Sequence, residues 1–185
     1  PRPETEELVE LIVHDYAKKS IDILDVGTGS GCIAITLRRL LKKAQVSALD
    51  ISPEALKIAK RNAGINRVQL TFYEKDILQP SKTADSIEDE FDVIVSNPPY
   101  IPTGEIDTLD VTVRDYEPRM ALDGGKDGLD FYRDIAAKWQ TALRLGGTLL
   151  FEVGIGQAPE VEQILAQNGF TNISTYPDTQ GIWRV

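Results

Sequence analysis

Apolar positions along this chain change their period repeatedly. ETEELVELIVHDYAKK (4–19) puts Leu8, Leu11, Ile12 and Tyr16 on one face of a predicted helix. IDILDV (21–26) is a continuous apolar run and predicts a buried strand. GCIAITLRRLLKK (31–43) returns to helical spacing, apolar at Ile33, Leu37, Leu40 and Leu41, with a basic end. QVSALD (45–50) predicts a second strand. SPEALKIAKRNAG (52–64) predicts a helix with a Ser N-cap, a Pro at its first position and a Gly near its end. VQLTFYEKD (68–76) predicts a third strand, SKTADSIEDE (81–90) a solvated acidic connector, and FDVIVS (91–96) a fourth strand. A Pro-, Gly- and Asp-rich stretch at 97–128 is long for a loop in a compact domain, a length usually functional or disordered. LDFYRDIAAKWQTALRLGG (129–147) predicts a helix stopped by glycine, GTLLFEVG (147–154) a fifth strand and APEVEQILAQNG (158–169) another helix. FTNISTYPD and GIWRV predict the last two strands.

Helices alternating with apolar strands imply a mostly parallel sheet, here of seven strands, covered by helices on both faces. Such α/β sheets bind ligands beyond the carboxyl ends of their strands, where the strand order reverses. GTGSG and NPPY both follow strands, so both lie on that edge.

The 185 residues suffice for one domain, 1–185. The chain opens at Pro1 rather than methionine and is expected to be a piece of a longer protein. With one cysteine, Cys32, and one histidine, His14, neither an internal disulfide nor a Cys/His metal cluster can form, and no metal is expected. That fits a reducing, cytoplasmic setting. No apolar run is long enough to span a membrane, and a monomer is expected. The net charge of −9 weakens a nucleic-acid reading without removing it, because an acidic total can still hide a basic patch.

LDVGTGSG (24–31) joins the first strand to the first crossover helix. Gly27, Gly29 and Gly31 permit tight turns and close approach of a ligand to the backbone. A plain strand-to-helix turn is the simpler alternative. The spacing is G-x-G-x-G, not the dinucleotide G-x-G-x-x-G, and no Walker lysine pattern is present. Asp25 suits the amino group of a methionine moiety better than a pyrophosphate, which favours S-adenosylmethionine. Asp50 ends the second strand, 23 residues past Gly27, where related architectures bind ribose hydroxyls; a helix N-terminal charge is its other reading. Asp76 ends the third strand, where an adenine amino group needs an acceptor, and Ile77 beside it can pack on the ring; a solvated turn is as good a reading of both.

SNPPY (96–100) stops its strand with two prolines, one more than a stop requires. The backbone stays extended and its carbonyls lack local partners. An amino group on an sp² carbon is a poor nucleophile, and two acceptors aimed at its hydrogens orient it and stabilise the developing positive charge. The Asn97 side-chain oxygen and the Pro98 carbonyl are the acceptors, and Tyr100 can stack on the planar group. A carboxamide and an exocyclic base amine fit this floor equally well.

Across nearly its whole length the chain resembles the release factor glutamine methyltransferases, the HemK/PrmC group. The resemblance is carried by PRPETE, DVGTGSG, LDISPEAL, SNPPYI, EPRMALDGGKDGLDFYR, GGTLLFEVG and GIWRV. NPPY alone is shared with adenine-N6 methyltransferases, whereas PRPETE with EPRMALDGGKDGL is specific to the glutamine enzymes. The resemblance implies a Rossmann-like class I S-adenosylmethionine-dependent methyltransferase that yields S-adenosylhomocysteine and acts on a glutamine of a peptide-chain release factor. The resemblance implies cofactor contacts at Gly27, Thr28, Gly29, Ser30, Gly31, Asp50, Ile77 and Asn97, to which the reading of the residues adds Asp25, Asp76 and, beside Asp50, Ile51. Asn97, Pro98, Pro99 and Tyr100 would hold the substrate, with Asn97, Pro98 and Tyr100 catalytic. The position of Ile77 often carries tryptophan in relatives. The family also has an N-terminal helical domain for docking the release factor, which these residues do not contain. The alternative is an adenine-N6 nucleic-acid methyltransferase, which needs a basic, aromatic target-binding region.

The remaining residues have plainer readings. Cys32 is expected to pack beside the glycine loop, His14 to sit on the helix surface, and Trp139 and Trp183 to pack in the core or between helices. Glu117 and Arg119 are candidates for ligand contact or for a structural ion pair. Glu4, Thr5 and Glu6 read as a helix start or as an arm that closes over the cofactor.

Overall fold

The computed structural model describes residues 3–78, 90–114 and 117–185. The acidic connector predicted at 81–90 falls almost wholly outside them. Five strands form one parallel sheet in the order β3-β2-β1-β4-β5: β1 Asp22–Val26, β2 Gln45–Asp50, β3 Thr71–Glu74, β4 Phe91–Ser96 and β5 Leu143–Phe151. The helices are α1 Pro3–Tyr16, α2 Cys32–Leu40, α3 Pro53–Ile65, the single turn α4 Val111–Arg114, α5 Asp130–Lys138 and α6 Ala158–Gln167.

Two apolar clusters sandwich the sheet. Leu8, Ile12, Leu37 and Leu41 meet Ile23, Val46 and Val93 on one side. Tyr132, Ile135, Trp139 and Val161 meet Leu24, Leu49 and Ile94 on the other. Strand side chains alternate between faces, so consecutive residues such as Ile23 and Leu24 serve opposite clusters. α3 begins as its sequence dictates: the Ser52 hydroxyl accepts from the Ala55 N–H at 3.1 Å, with Pro53 at the first helical position. It runs through Gly64 and stops at Asn66, followed by Arg67 with φ 54°. Leu40, expected on the apolar face of α2, is exposed.

Three further sequence expectations need correction. Among the described residues the sheet has five strands, not seven. The residues expected as the last two strands are joined by an isolated antiparallel bridge, Pro177 to Trp183. Backbone bonds between Tyr176 and Val185, in both directions, and from the Asp178 N–H to the Ile182 carbonyl flank this bridge, so the pairing is a short hairpin rather than two strands of the sheet. The terminal segment still docks on the sheet, because the Val153 N–H donates to the Arg184 carbonyl at 2.8 Å. Trp183, expected to be packed, is 54% exposed. Helix α5 ends at Lys138, and Leu143 already belongs to β5. Arg144 is drawn to the sheet by Asp22 at 2.7 Å and Asp92 at 2.6 Å, across a register shift in which Phe91 pairs Leu143 but Val93 pairs Thr148.

From β1 the chain winds outward to β2 and β3, then crosses back to β4 and β5. The order therefore reverses between β1 and β4, where Val26 lies opposite Ser96. GTGSG leaves β1 and NPPY leaves β4 side by side at this switch point.

Candidate active site

The two loops are tied where they start. The Ser96 hydroxyl donates to the Val26 carbonyl at 2.7 Å in a fully buried position. Beyond Val26 the loop is held by the Gly27 and Thr28 N–H groups, both on the Leu49 carbonyl at 2.9 Å. Gly27 and Gly29 have φ of 72° and 54°, and a Cβ on either would meet nothing within 4 Å. Both therefore open onto free space, as a ligand cradle requires. Gly31 instead serves packing. A Cβ there would stand 3.0 Å from the Ala59 Cβ, so its smallness lets α2 pack on α3.

Asp25 is fully buried behind this loop. Its Oδ2 accepts from the Thr28 hydroxyl at 2.6 Å and from the Ala34 N–H at 3.2 Å, satisfying a donor in the first turn of α2. Its Oδ1 has no hydrogen-bond partner. Burial pushes the carboxyl up to about 6; the Thr28 and Ala34 bonds oppose the shift, and the Asp50 charge adds to it. Asp50 accepts from the Gly29 N–H at 2.8 Å with one oxygen and from the Ser52 N–H at 2.9 Å with the other.

On the second loop, the Asn97 Nδ2 donates to the Thr5 Oγ1 at 3.4 Å. Among the described residues, neither the Asn97 Oδ1 nor the Pro98 carbonyl accepts a hydrogen bond. The Tyr100 carbonyl accepts from the Gln157 Nε2 at 2.9 Å, and the Arg184 guanidinium lies 5.8 Å from the centre of the Tyr100 ring. Gly124 and Gly128 press on this strap; a Cβ on Gly124 would stand 2.8 Å from the Pro99 carbonyl oxygen.

Both loops line one cavity of about 340 Å³, within the range of small-molecule sites. Gly27, Thr28, Gly29 and Ser30 form one wall, and Asn97, Pro98 and Tyr100 another, with Thr5, Cys32 and Glu117 also on the lining. The other candidates lie outside it. Asp25 and Asp50 stand behind the loop. Ile51 is exposed, and Asp76 accepts from the Leu78 N–H at 2.9 Å. Ile77 is buried in the core, its carbonyl accepting from the Trp139 Nε1 at 2.8 Å. Arg119 pairs with Asp107 at 3.4 Å on the surface. A larger open cleft of about 700 Å³, bordered by Arg38, Lys42, Lys43 and Lys60, lies at the amino ends of β2 and β3, away from the switch point, and shares no residue with this cavity. Among the described residues no His/Cys/Asp/Glu cluster could hold a metal ion, and no helix is long and apolar enough to cross a membrane.

Sequence reasoning passed over Gln157, Glu152 and Arg184, and offered Thr5 only as part of a helix start or of an arm over the cofactor, not as a partner of Asn97. Glu152 did carry a signal: a carboxylate inside the apolar run LLFEV is rarely buried without a partner.

The profile of the methyltransferase small domain family matches residues 4–114. A release factor glutamine methyltransferase of Geobacter sulfurreducens is 44% identical over 185 residues, covering 100% of this chain and 63% of the relative. A protein of the same name from Lactococcus lactis is 44% identical over 183 residues, covering 98% of this chain and 65% of the relative. The chain thus spans somewhat under two thirds of the length of these relatives. Among solved structures, a ribosomal protein L11 methylase from Lactobacillus delbrueckii superposes with a TM-score of 0.68 at 25% identity, covering 98% of this chain and 77% of that one. A methyltransferase from Pyrococcus furiosus gives a TM-score of 0.71 at 19% identity, covering 100% and 80%. The fold is that of class I S-adenosylmethionine-dependent methyltransferases, and the chain belongs to the methyltransferase small domain family.

Proposed function

We propose that the protein transfers a methyl group from S-adenosylmethionine to the side-chain amide nitrogen of a glutamine in a peptide-chain release factor. The observation that carries this reading is the shared cavity. A glycine cradle on one wall faces two free acceptors, the Asn97 Oδ1 and the Pro98 carbonyl, on the other. Similarity over 98–100% of this chain to relatives bearing that name supports the choice of substrate.

The residues present fit such a donor. The space beside Gly27 and Gly29 admits a ligand against the backbone, and the orphaned Asp25 Oδ1 suits a nearby cationic amino group. Asp50, which already holds the loop through Gly29, retains acceptor capacity for ribose hydroxyls. The adenine amino group is left to Asp76, whose carboxylate keeps acceptor capacity beyond its bond to the Leu78 N–H; Ile77, buried in the core, offers the ring little open surface. The sulfonium supplies an electrophilic methyl and leaves as a neutral thioether.

The chain's own residues do the rest. The Asn97 Oδ1 and the Pro98 carbonyl accept the two hydrogens of the glutamine NH₂ and aim its lone pair at the methyl. Their partial negative charges stabilise the charge growing on nitrogen. Tyr100 stacks on the amide plane, and the spare proton departs to water. No strong base is needed, in keeping with a cavity that has no histidine on its lining. A net charge of −9 disfavours a polyanionic substrate and favours a basic protein loop. In this reading the reaction is a cytoplasmic one.

The test is to incubate the protein with methyl-labelled donor and either release factor or DNA. Label in the release factor, slowed by roughly 10²- to 10³-fold in Asn97→Ala, supports the reading; label in DNA contradicts it.

A further inference from the structure

Glu152 is 0% exposed at the end of β5, beside the strand that leads into NPPY. Its N–H donates to the Ser96 carbonyl at 3.0 Å, and its own carbonyl accepts from the Tyr132 hydroxyl at 3.0 Å. Burying a carboxylate is costly, and an ion pair in such a place seldom adds net stability. Its contacts show another use. Oε2 accepts from the Thr5 hydroxyl at 2.6 Å, and the Arg184 Nη2 lies 3.9 Å from Oε1.

A threonine hydroxyl has one proton. Here it is committed to Glu152, so Thr5 can offer Asn97 only a lone pair. The Asn97 amide must then turn its Nδ2 to Thr5, at 3.4 Å, and its Oδ1 away toward the cavity. With the amide flipped, two oxygens would oppose each other at Thr5, and an NH₂ would face the substrate NH₂, donor against donor.

We infer that Thr5 and Glu152 are positioning residues that fix which end of the Asn97 amide faces the substrate. The acceptor character of the site is thereby set outside NPPY, by a helix at the amino end of the chain and by a buried acid on the neighbouring strand. Arg184 supports both sides of the arrangement, through Glu152 and through its position over the Tyr100 ring.

The inference rests on the methyl-transfer reading for its kinetic consequence, but its geometry can be tested without a substrate. In the complete protein labelled with ¹⁵N-asparagine, the Asn97 side-chain NH₂ signal, assigned by its loss in Asn97→Asp, should move in Thr5→Val and return in Thr5→Ser. Thr5→Ala gives the same reading if valine beside Glu152 prevents folding. With release factor as acceptor, Thr5→Val should lower kcat by roughly 10- to 100-fold, because a pre-organised acceptor is lost, and Thr5→Ser should recover most of it. In an Asn97→Ala background, Thr5→Val should cost no more than about twofold, because the two residues act through one contact. An unmoved amide signal overturns the inference. So does a Thr5→Ser defect as large as that of Thr5→Val, or full additivity with Asn97→Ala. If no glutamine is methylated at all, the proposed function fails, and the amide signal still decides the orientation.

Discussion

Gln157 clamps Tyr100: its Nε2 donates to the Tyr100 carbonyl at 2.9 Å, while its Oε1 accepts from the Gly154 N–H at 3.0 Å. One side chain thereby joins the end of the substrate strap to the turn between β5 and α6. Gln157→Leu removes both bonds and leaves their backbone partners unsatisfied. A loss of about 1–3 kcal/mol is expected, with weaker methyl transfer because Tyr100 is no longer held. Denaturant midpoints and initial rates check this together. A stable variant with a full rate would show that the clamp is dispensable.

The glycines of the first loop should separate into two classes. Gly31→Ala drives a Cβ to within 3.0 Å of the Ala59 Cβ at a φ of 83°, so it should lower the melting temperature. Gly29→Ala projects into open space and carries only the left-handed penalty of about 1–2 kcal/mol. It should instead impair binding of S-adenosylhomocysteine, read by calorimetry. Equal effects of both substitutions on stability and on binding would contradict the division.

Asp25 should make the ligand-free protein lose stability as pH rises. The unfolded carboxyl titrates near its ordinary value of 3.8 and the folded one near 6. Between these values the unfolded chain has released a proton that the folded protein still holds, so folding becomes less favourable, by about 3 kcal/mol in all. Below the window both states are protonated, and above it the loss is complete. Asp25→Asn should flatten this decline, seen as urea midpoints at pH 4.5 and 7.5. Parallel pH dependence in wild type and variant would rule the effect out.

The chain's local signals carried the fold far. QVSALD and FDVIVS match β2 and β4 residue for residue, and Ser52 caps α3 as its position predicts. The signals failed where tertiary contacts decide. LRLGG is helical by its continuity with α5, yet Arg144 is held at the sheet by two aspartates from other strands. NPPY and GTGSG could be recognised locally because their turn chemistry is local. The Thr5–Glu152 and Gln157–Tyr100 contacts could not, because each joins residues far apart in the chain. Thr5 and Glu152 stand 147 positions apart, and no pattern in the intervening sequence links them.

The central claim is that the nitrogen held by Asn97 and Pro98 is a glutamine amide. Tandem mass spectrometry of a release factor incubated with the complete protein and S-adenosylmethionine tests it most directly. The account predicts a gain of one methyl on the side-chain nitrogen of a single glutamine, formed roughly 10²- to 10³-fold more slowly with Asn97→Ala. An unmodified release factor, together with methylated adenine in added nucleic acid, would contradict it.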